Sequence, residues 1–344
     1  MGLNRNQFLK TIGAASLSMW ISGQADSSQE TSVQEKPIKP KSLNQYSKIG
    51  LVSPASPVYD PKDFDEMIEK VDSLGFDWEL GAHAKDRRGY LAGTDQDRAH
   101  DLMEMFINPE IDAILCIRGG WGCNRILPYL DFDVIRKNPK ILCGFSDITS
   151  LHLSIWNKSR LHTFHGPVGT SSWNEYTERN FREVLMSGDK VTYLPQKNDQ
   201  DEYTHMVISE GTTSGILLGG NLTVLCSLLG TEYLPDFKGA ILYLEDVGED
   251  VYRVDRMLTQ LKLSGILSNI SGLVFGKCTN CDAGSNSLSL MQVFEDHIQP
   301  LGIPAYYGAL ISHESDNSTI PVGIRAKIDA QKGSLTLLEE PVIV

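Results

Sequence analysis

The feature that most constrains this chain is an alternation, between residues 47 and 170, of short apolar runs with segments of helical period. Lys48-Ile49-Gly50-Leu51-Val52 reads as a buried strand, and 76–80, 111–117, 140–143 and 162–165 read as four more. Asp60 is placed to cap a helix carrying Met67, Ile68, Val71 and Leu74, which Gly75 stops; Thr94 is placed to cap a second, with Ala99, Leu102, Met103 and Phe106 on one face. A third helix spans 148–156. Strands apolar at every position are buried on both faces, and strands joined through helices run parallel. The expectation is therefore an α/β protein with a parallel sheet covered by helices.

In such sheets ligands bind beyond the carboxyl ends of the strands. Two loops there carry chemistry. Gly144-Phe145-Ser146-Asp147-Ile148 puts Ser146 between a strand and a helix, near free backbone N–H groups that can hold an oxyanion. The pattern is not G-x-S-x-G, and a plain helix cap at Ser146 or Asp147 is the competing reading. Arg118-Gly119-Gly120-Trp121-Gly122 lets backbone approach a ligand and offers Arg118 to a carboxylate; a structural tight turn is the alternative. A serine nucleophile needs a base and a group to orient it. His313 lies in a polar loop and Glu245 at the end of the apolar run 240–244. Taken singly, these are equally a surface histidine and an ion pair of Glu245 with Arg253 or Arg256.

The chain has 344 residues, enough for two domains: 47–170, and 211–344 with strands, a helix at 253–261 and an alternating last part. Residues 171–210 read as the connection, with a helix near 179–186. The formal net charge of −13 argues against nucleic acid as a partner. Arg5 and Lys10 precede the apolar stretch 11–21, and Gly23-Gln24-Ala25 suits a cleavage site, so 1–25 reads as a signal peptide, of Sec or twin-arginine type, too short to be a stable membrane span. Residues 26–46 read as a flexible linker. The protein is expected outside the cytoplasm, in the periplasm; an uncleaved N-terminus would leave it in the cytoplasm. Cys116, Cys143 and Cys226 sit in apolar surroundings that suit buried free thiols. Cys278-Thr279-Asn280-Cys281 has the spacing of a zinc or redox motif without a second ligand pair, and fits a disulfide in an exported protein. No HExxH, P-loop or EF-hand loop occurs and no metal-ligand set is visible, so no metal is expected.

The motifs together resemble the LD-carboxypeptidase family of serine peptidases, which includes muramoyltetrapeptide carboxypeptidases and microcin C immunity peptidases. The resemblance covers about 47–342. It rests on Ser53-Pro54-Ala55-Ser56, the 118–122 loop, Gly144-Phe145-Ser146-Asp147-Ile148-Thr149, His165-Gly166-Pro167 and Gly219-Gly220-Asn221-Leu222. Further matches are Leu244-Glu245-Asp246-Val247-Gly248-Glu249 with 252–258, and His313 with Asn317 and Pro321-Val322-Gly323. Trp121 stands where the family more usually has tyrosine or phenylalanine.

The resemblance implies a flavodoxin-like N-terminal domain, a smaller mixed α/β C-terminal domain and a homodimer. It implies a triad of Ser146, Glu245 and His313 that uses no metal or organic cofactor, an oxyanion hole from the amides of Asp147 and Gly120, and substrate contacts from Arg118, Gly119 and Trp121. The implied substrate is a murein peptide, cut at an L,D-bond to release terminal D-Ala. Two rivals stand beside it: the same triad acting on a microcin-like peptidyl nucleotide or another acyl-amide, and a wall-peptide binding protein without catalysis.

Overall fold

The computed structural model describes residues 36–195 and 205–344; the expected signal peptide and the start of the expected linker lie outside them. In chain order the strands are β1 (Lys48–Val52), β2 (Asp77–Leu80), β3 (Ala113–Cys116), β4 (Ile141–Gly144), β5 (Thr163–His165), β6 (Thr192–Tyr193), β7 (Met206–Ser209), β8 (Thr212–Asn221), β9 (Ile241–Val247), β10 (Gly272–Thr279), β11 (Ala305–Tyr307), β12 (Ile320–Val322), β13 (Arg325–Asp329) and β14 (Ser334–Leu337). The helices used below are α1 (Pro61–Ser73), α2 (Asp95–Ile107), α3 (Cys123–Ile126), α4 (Thr149–Ser159), α5 (Glu175–Arg182), α6 (Leu222–Ser227) and α7 (Val251–Leu263).

The first sheet has the order β12-β5-β4-β3-β1-β2. Its five N-terminal strands are parallel, and β12 pairs antiparallel with β5. The order 2-1-3-4-5 is that of flavodoxin-like sheets, with its switch point between β1 and β3. Chain leaving β1 and chain leaving β3 therefore diverge, and a crevice opens at their carboxyl ends. The caps act as expected: the Asp60 side chain accepts from Lys62 N at 2.9 Å, and Thr94 Oγ1 accepts from Asp97 N at 3.2 Å.

The second sheet is mixed, with order β6-β14-β13-β8-β9-β10-β11-β7. Its parallel centre, β8 to β11, buries Leu217, Leu242, Leu244 and Val274 completely. Helix α4, which follows Ser146, packs against both β5 and β8 and is buried nearly all round. That explains why it shows no clean apolar stripe.

Three observations differ from the sequence reading. Residues 36–46, read as part of a linker, are laid against the body: Ile38 bridges to Leu161, Lys41 to Ile343, and Leu43 is buried. Backbone hydrogen bonds hold this segment there: the N–H groups of Ile38, Ser42 and Leu43 donate to the carbonyls of Arg160, Ile343 and Leu185 at 2.8, 2.8 and 2.7 Å. Second, β9 does not end before Glu245 but continues to Val247. Beyond an irregularity after Phe275, β10 resumes pairing through Cys278 with Asp246 and Thr279 with Val247, so the strand stays supported. Third, β6 and β7, within the expected connection, complete the two edges of the second sheet, and β12, from the C-terminal stretch, completes the first.

Cys278 and Cys281 form a disulfide, and the other four cysteines are buried free thiols. No helix among the described residues is long and apolar enough to cross a membrane.

Candidate active site

Ser146 follows β4 and opens a short 3-10 turn that leads into α4. Its φ is +64°, one of four positive values among the described non-glycine residues. A left-handed serine costs on the order of 1 kcal/mol or more and persists only where its surroundings enforce it. They do so here: His152 Nε2 lies 2.8 Å from the Gly144 carbonyl, and the Gly166 N–H also donates to that oxygen. The strand end is thus clamped from both sides.

The glycine loop meets this turn. A Cβ on Gly119 would lie 2.8 Å from Ser146 Cβ, so the approach requires glycine. The loop is fixed to the chain after β1 by Ser56, whose N–H donates to Gly119 O at 3.2 Å and whose Oγ accepts from Trp121 N at 3.1 Å. The Gly120 N–H has no hydrogen-bond partner among the described residues. The Asp147 N–H belongs to the first turn of a helix, where no preceding helical carbonyl can reach it. The Asp147 side chain has a further use: it is buried and accepts from Cys123 N at 2.7 Å, tying α3 to the turn that carries Ser146.

Glu245 is fully buried on β9, in register with Asn221 on β8. Its Oε2 lies 2.7 Å from His313 Nδ1. Arg253, the alternative partner, sits instead with Glu249 and Asp250. Burial pushes the Glu245 carboxyl up, against the pull of His313. Burial alone would push the His313 imidazole down, but the hydrogen bond and charge of Glu245, joined by the charges of Asp246 and Glu314, outweigh it and leave it above its ordinary 6.5. The His313 ring packs against Phe145, centroids 4.7 Å apart, and so lies beside the residue preceding Ser146. No hydrogen bond joins His313 to Ser146 among the described residues; in ligand-free enzymes such contacts are often long and tighten with substrate. The motif histidine His165 and the neighbouring His152 are structural: burial pushes His165 down to about 3 and His152 to about 4.

The His313 loop is held at both ends. Ser312 Oγ accepts from Lys277 N, and Glu314 Oε1 accepts from Thr279 Oγ1 at 2.8 Å, both on β10. Asn317 N donates to Thr177 Oγ1 at 3.1 Å and Thr319 N to Asn180 Oδ1 at 2.7 Å, both on α5. The expected connection between domains thus positions the histidine loop.

Arg118 is half-buried and Trp121 is 50% exposed, packed edge-on to Tyr90. Sequence reasoning missed Arg98, which is buried on α2 and donates to the carbonyls of Pro54 and Gly122, bracing both loops. It missed the Asp147 carboxylate for the same reason: both act on backbone atoms of distant loops. Asn221 was only part of a motif. Its N–H donates to Thr149 Oγ1 at 2.9 Å and its side chain to Asp246 Oδ1 at 3.0 Å, joining α4 to β9. Cys123 and Cys143, the thiols nearest Ser146 in sequence, are buried, and burial pushes both far up, which disfavours a thiolate nucleophile. His83, Asp86 and Asp97 are arranged closely enough to hold a cation, and Asp101 engages His83 Nδ1 at 2.9 Å.

A left-handed serine on a strand-to-helix turn, a facing glycine loop and a buried Glu–His pair thus lie together at this end of the first sheet. The chain matches the LD-carboxypeptidase N-terminal domain over residues 49–166 and the LD-carboxypeptidase C-terminal domain over 214–328, and it belongs to that family. It is 40% identical to a probable murein peptide carboxypeptidase of Bacillus subtilis, over 85% of this chain and 91% of that protein. Among solved structures, the microcin C7 self-immunity protein MccF superposes with a TM-score of 0.82 at 27% identity, covering 89% of this chain and all of that one. A muramoyltetrapeptide carboxypeptidase from Oxalobacter formigenes superposes with a TM-score of 0.74 at 30% identity, covering 85% and 98%.

Proposed function

We propose that this carboxypeptidase is a serine peptidase that releases the terminal D-Ala of murein tetrapeptide by cutting the L,D-bond after the diamino acid. The observation that supports it best is the 2.7 Å contact of buried Glu245 with His313, beside the strained turn at Ser146.

In this reading Glu245 holds the Nδ1 proton, leaving Nε2 free as base. His313 takes the Ser146 hydroxyl proton as Oγ attacks the carbonyl carbon before the D-residue. The amides of Asp147 and Gly120 hold the resulting oxyanion, a contribution worth about 10²–10³ per donor. The C–N bond breaks as imidazolium protonates the departing amine. Water, deprotonated by His313, then attacks the acyl-enzyme, and the acid and free serine are restored.

The likeness to MccF favours one second reading, in which the same residues cleave a peptidyl nucleotide. A serine-directed fluorophosphonate tests what both share. It should label the parent at Ser146 and fail on Ser146→Ala; labelling elsewhere, or equal labelling of both, contradicts the assignment. The residues Arg5, Lys10 and 11–21, with Gly23-Gln24-Ala25, support export and a periplasmic substrate. A homodimer is the assembly proposed by family analogy.

A further inference from the structure

A chain with a formal charge of −13 repels anions on average, yet a carboxypeptidase must bind a substrate ending in a free carboxylate. The positive charge has to be local. Arg118 immediately precedes Gly119, whose Cα faces Ser146. Its guanidinium carbon lies 5.3 Å from the centre of the Tyr59 ring, and that of Arg87 lies 4.9 Å from the same centre. Tyr59 is 43% exposed.

Neither arginine has an acidic partner within 4.0 Å among the described residues. Arg98, Arg125, Arg182 and Arg253 all do. Arg87 makes one long hydrogen bond, from Nε to Gly89 O at 3.4 Å. The ring also walls a cavity of about 310 Å³ with Phe64, Lys85 and Arg87; Asp65 lines it too but reaches neither guanidinium. Two uncompensated cations on one ring repel each other, and an anion received between them removes that repulsion.

The three segments involved are stiff. Ser53 Oγ donates to Ala84 O at 2.8 Å, Ala92 N donates to Ala55 O at 3.0 Å, and Ser56 binds the glycine loop. All three leave the carboxyl ends of β1, β2 and β3, where a flavodoxin-like sheet binds ligands.

We infer that Arg87 and Arg118, stacked on Tyr59, form the subsite for the terminal carboxylate of the scissile D-residue. This rests on the carboxypeptidase reading above and adds Arg87 and Tyr59 to it. Planar guanidinium groups suit a carboxylate's two oxygens, and the aromatic ring holds them in place without neutralising them.

The test compares two synthetic peptides, one ending in D-Ala and one in its carboxamide, as substrates for parent, Arg87→Met, Arg87→Lys and Arg118→Met. The readout is the ratio of kcat/KM for acid over amide. Parent should prefer the acid by about 10- to 100-fold, the size of lost charged hydrogen bonds. Arg87→Met and Arg118→Met should each cut that ratio at least tenfold, and Arg87→Lys should restore part of it. A variant that merely misfolds lowers both rates and leaves the ratio standing. An unchanged ratio in an Arg87→Met variant that is folded by circular dichroism and cleaves the amide at the parent's rate overturns the two-arginine site while the carboxypeptidase activity stands. A parent that cleaves neither peptide overturns the carboxypeptidase reading, and this subsite falls with it.

Discussion

Replacing Glu245 by Gln keeps the shape of the side chain and removes its charge, which makes it a sharp probe of the Glu–His pair. Glu245 is fully buried, and its Oε2 sits 2.7 Å from His313 Nδ1. An amide nitrogen in that place donates to Nδ1 and forces the proton onto Nε2, the atom that has to act as base. The corresponding carboxylate-to-amide change in a serine-peptidase triad costs about 10⁴ in kcat. That is about 5 kcal/mol of transition-state stabilisation. The pH dependence should move as well. The parent His313 lies above 6.5 because the Glu245 hydrogen bond and charge, with the nearby charges of Asp246 and Glu314, outweigh burial. The base works in its neutral form, so kcat/KM should rise through a pKa above 6.5 in the parent. In Glu245→Gln burial remains and the strongest opposing influence is gone, while the weaker pull of Asp246 and Glu314 persists, so the same limb should move to lower pH. Steady-state kinetics across pH 5–9 read both effects, with circular dichroism as the folding control. A folded variant with kcat within tenfold of the parent and an unmoved acid limb would show that Glu245 does not orient or charge the base.

Ser146→Ala should fold normally and lose at least about 10³ in kcat, as triad knockouts do; retained turnover moves the nucleophile elsewhere. Gly220→Ala should lower stability by about 2 kcal/mol or more in a denaturant titration, because φ is +138° there and the new Cβ would meet Thr149 Oγ1 at 2.4 Å; an unchanged midpoint contradicts the close packing of β8 on α4. EDTA should leave turnover unaffected, since the proposed steps need only side chains and backbone amides; zinc-restorable inhibition opposes that chemistry. N-terminal sequencing of protein from its native host should start near Asp26; an intact N-terminus in the cytoplasmic fraction contradicts export and leaves the proposed catalytic residues untouched.

Local chemistry accounts for the parts of the fold that are legible in the sequence. The caps at Asp60 and Thr94 announce themselves because a polar residue precedes an apolar period, and β1, β3 and β4 are legible as apolar runs. What depends on distant partners is not legible. The extension of β9 past Glu245 requires the second stretch of pairing from β10. Strand β12 is three residues long and contains Pro321, which as a rule argues against a strand; at the sheet edge it is tolerated. Arg98 lies on the buried face of a helix and looks from sequence like a surface charge. Glu245 and His313 are 68 residues apart, and motif order, not any local pattern, suggests them together.

Whether Ser146 releases D-Ala from murein is decided by incubating the parent and Ser146→Ala with purified murein tetrapeptides and following the products by mass spectrometry. The parent should remove one alanine from the tetrapeptide, Ser146→Ala should remove none, and neither should react when the terminal alanine is the L-epimer. Intact tetrapeptide after incubation with folded parent enzyme, or equal release by Ser146→Ala, would contradict the proposed activity.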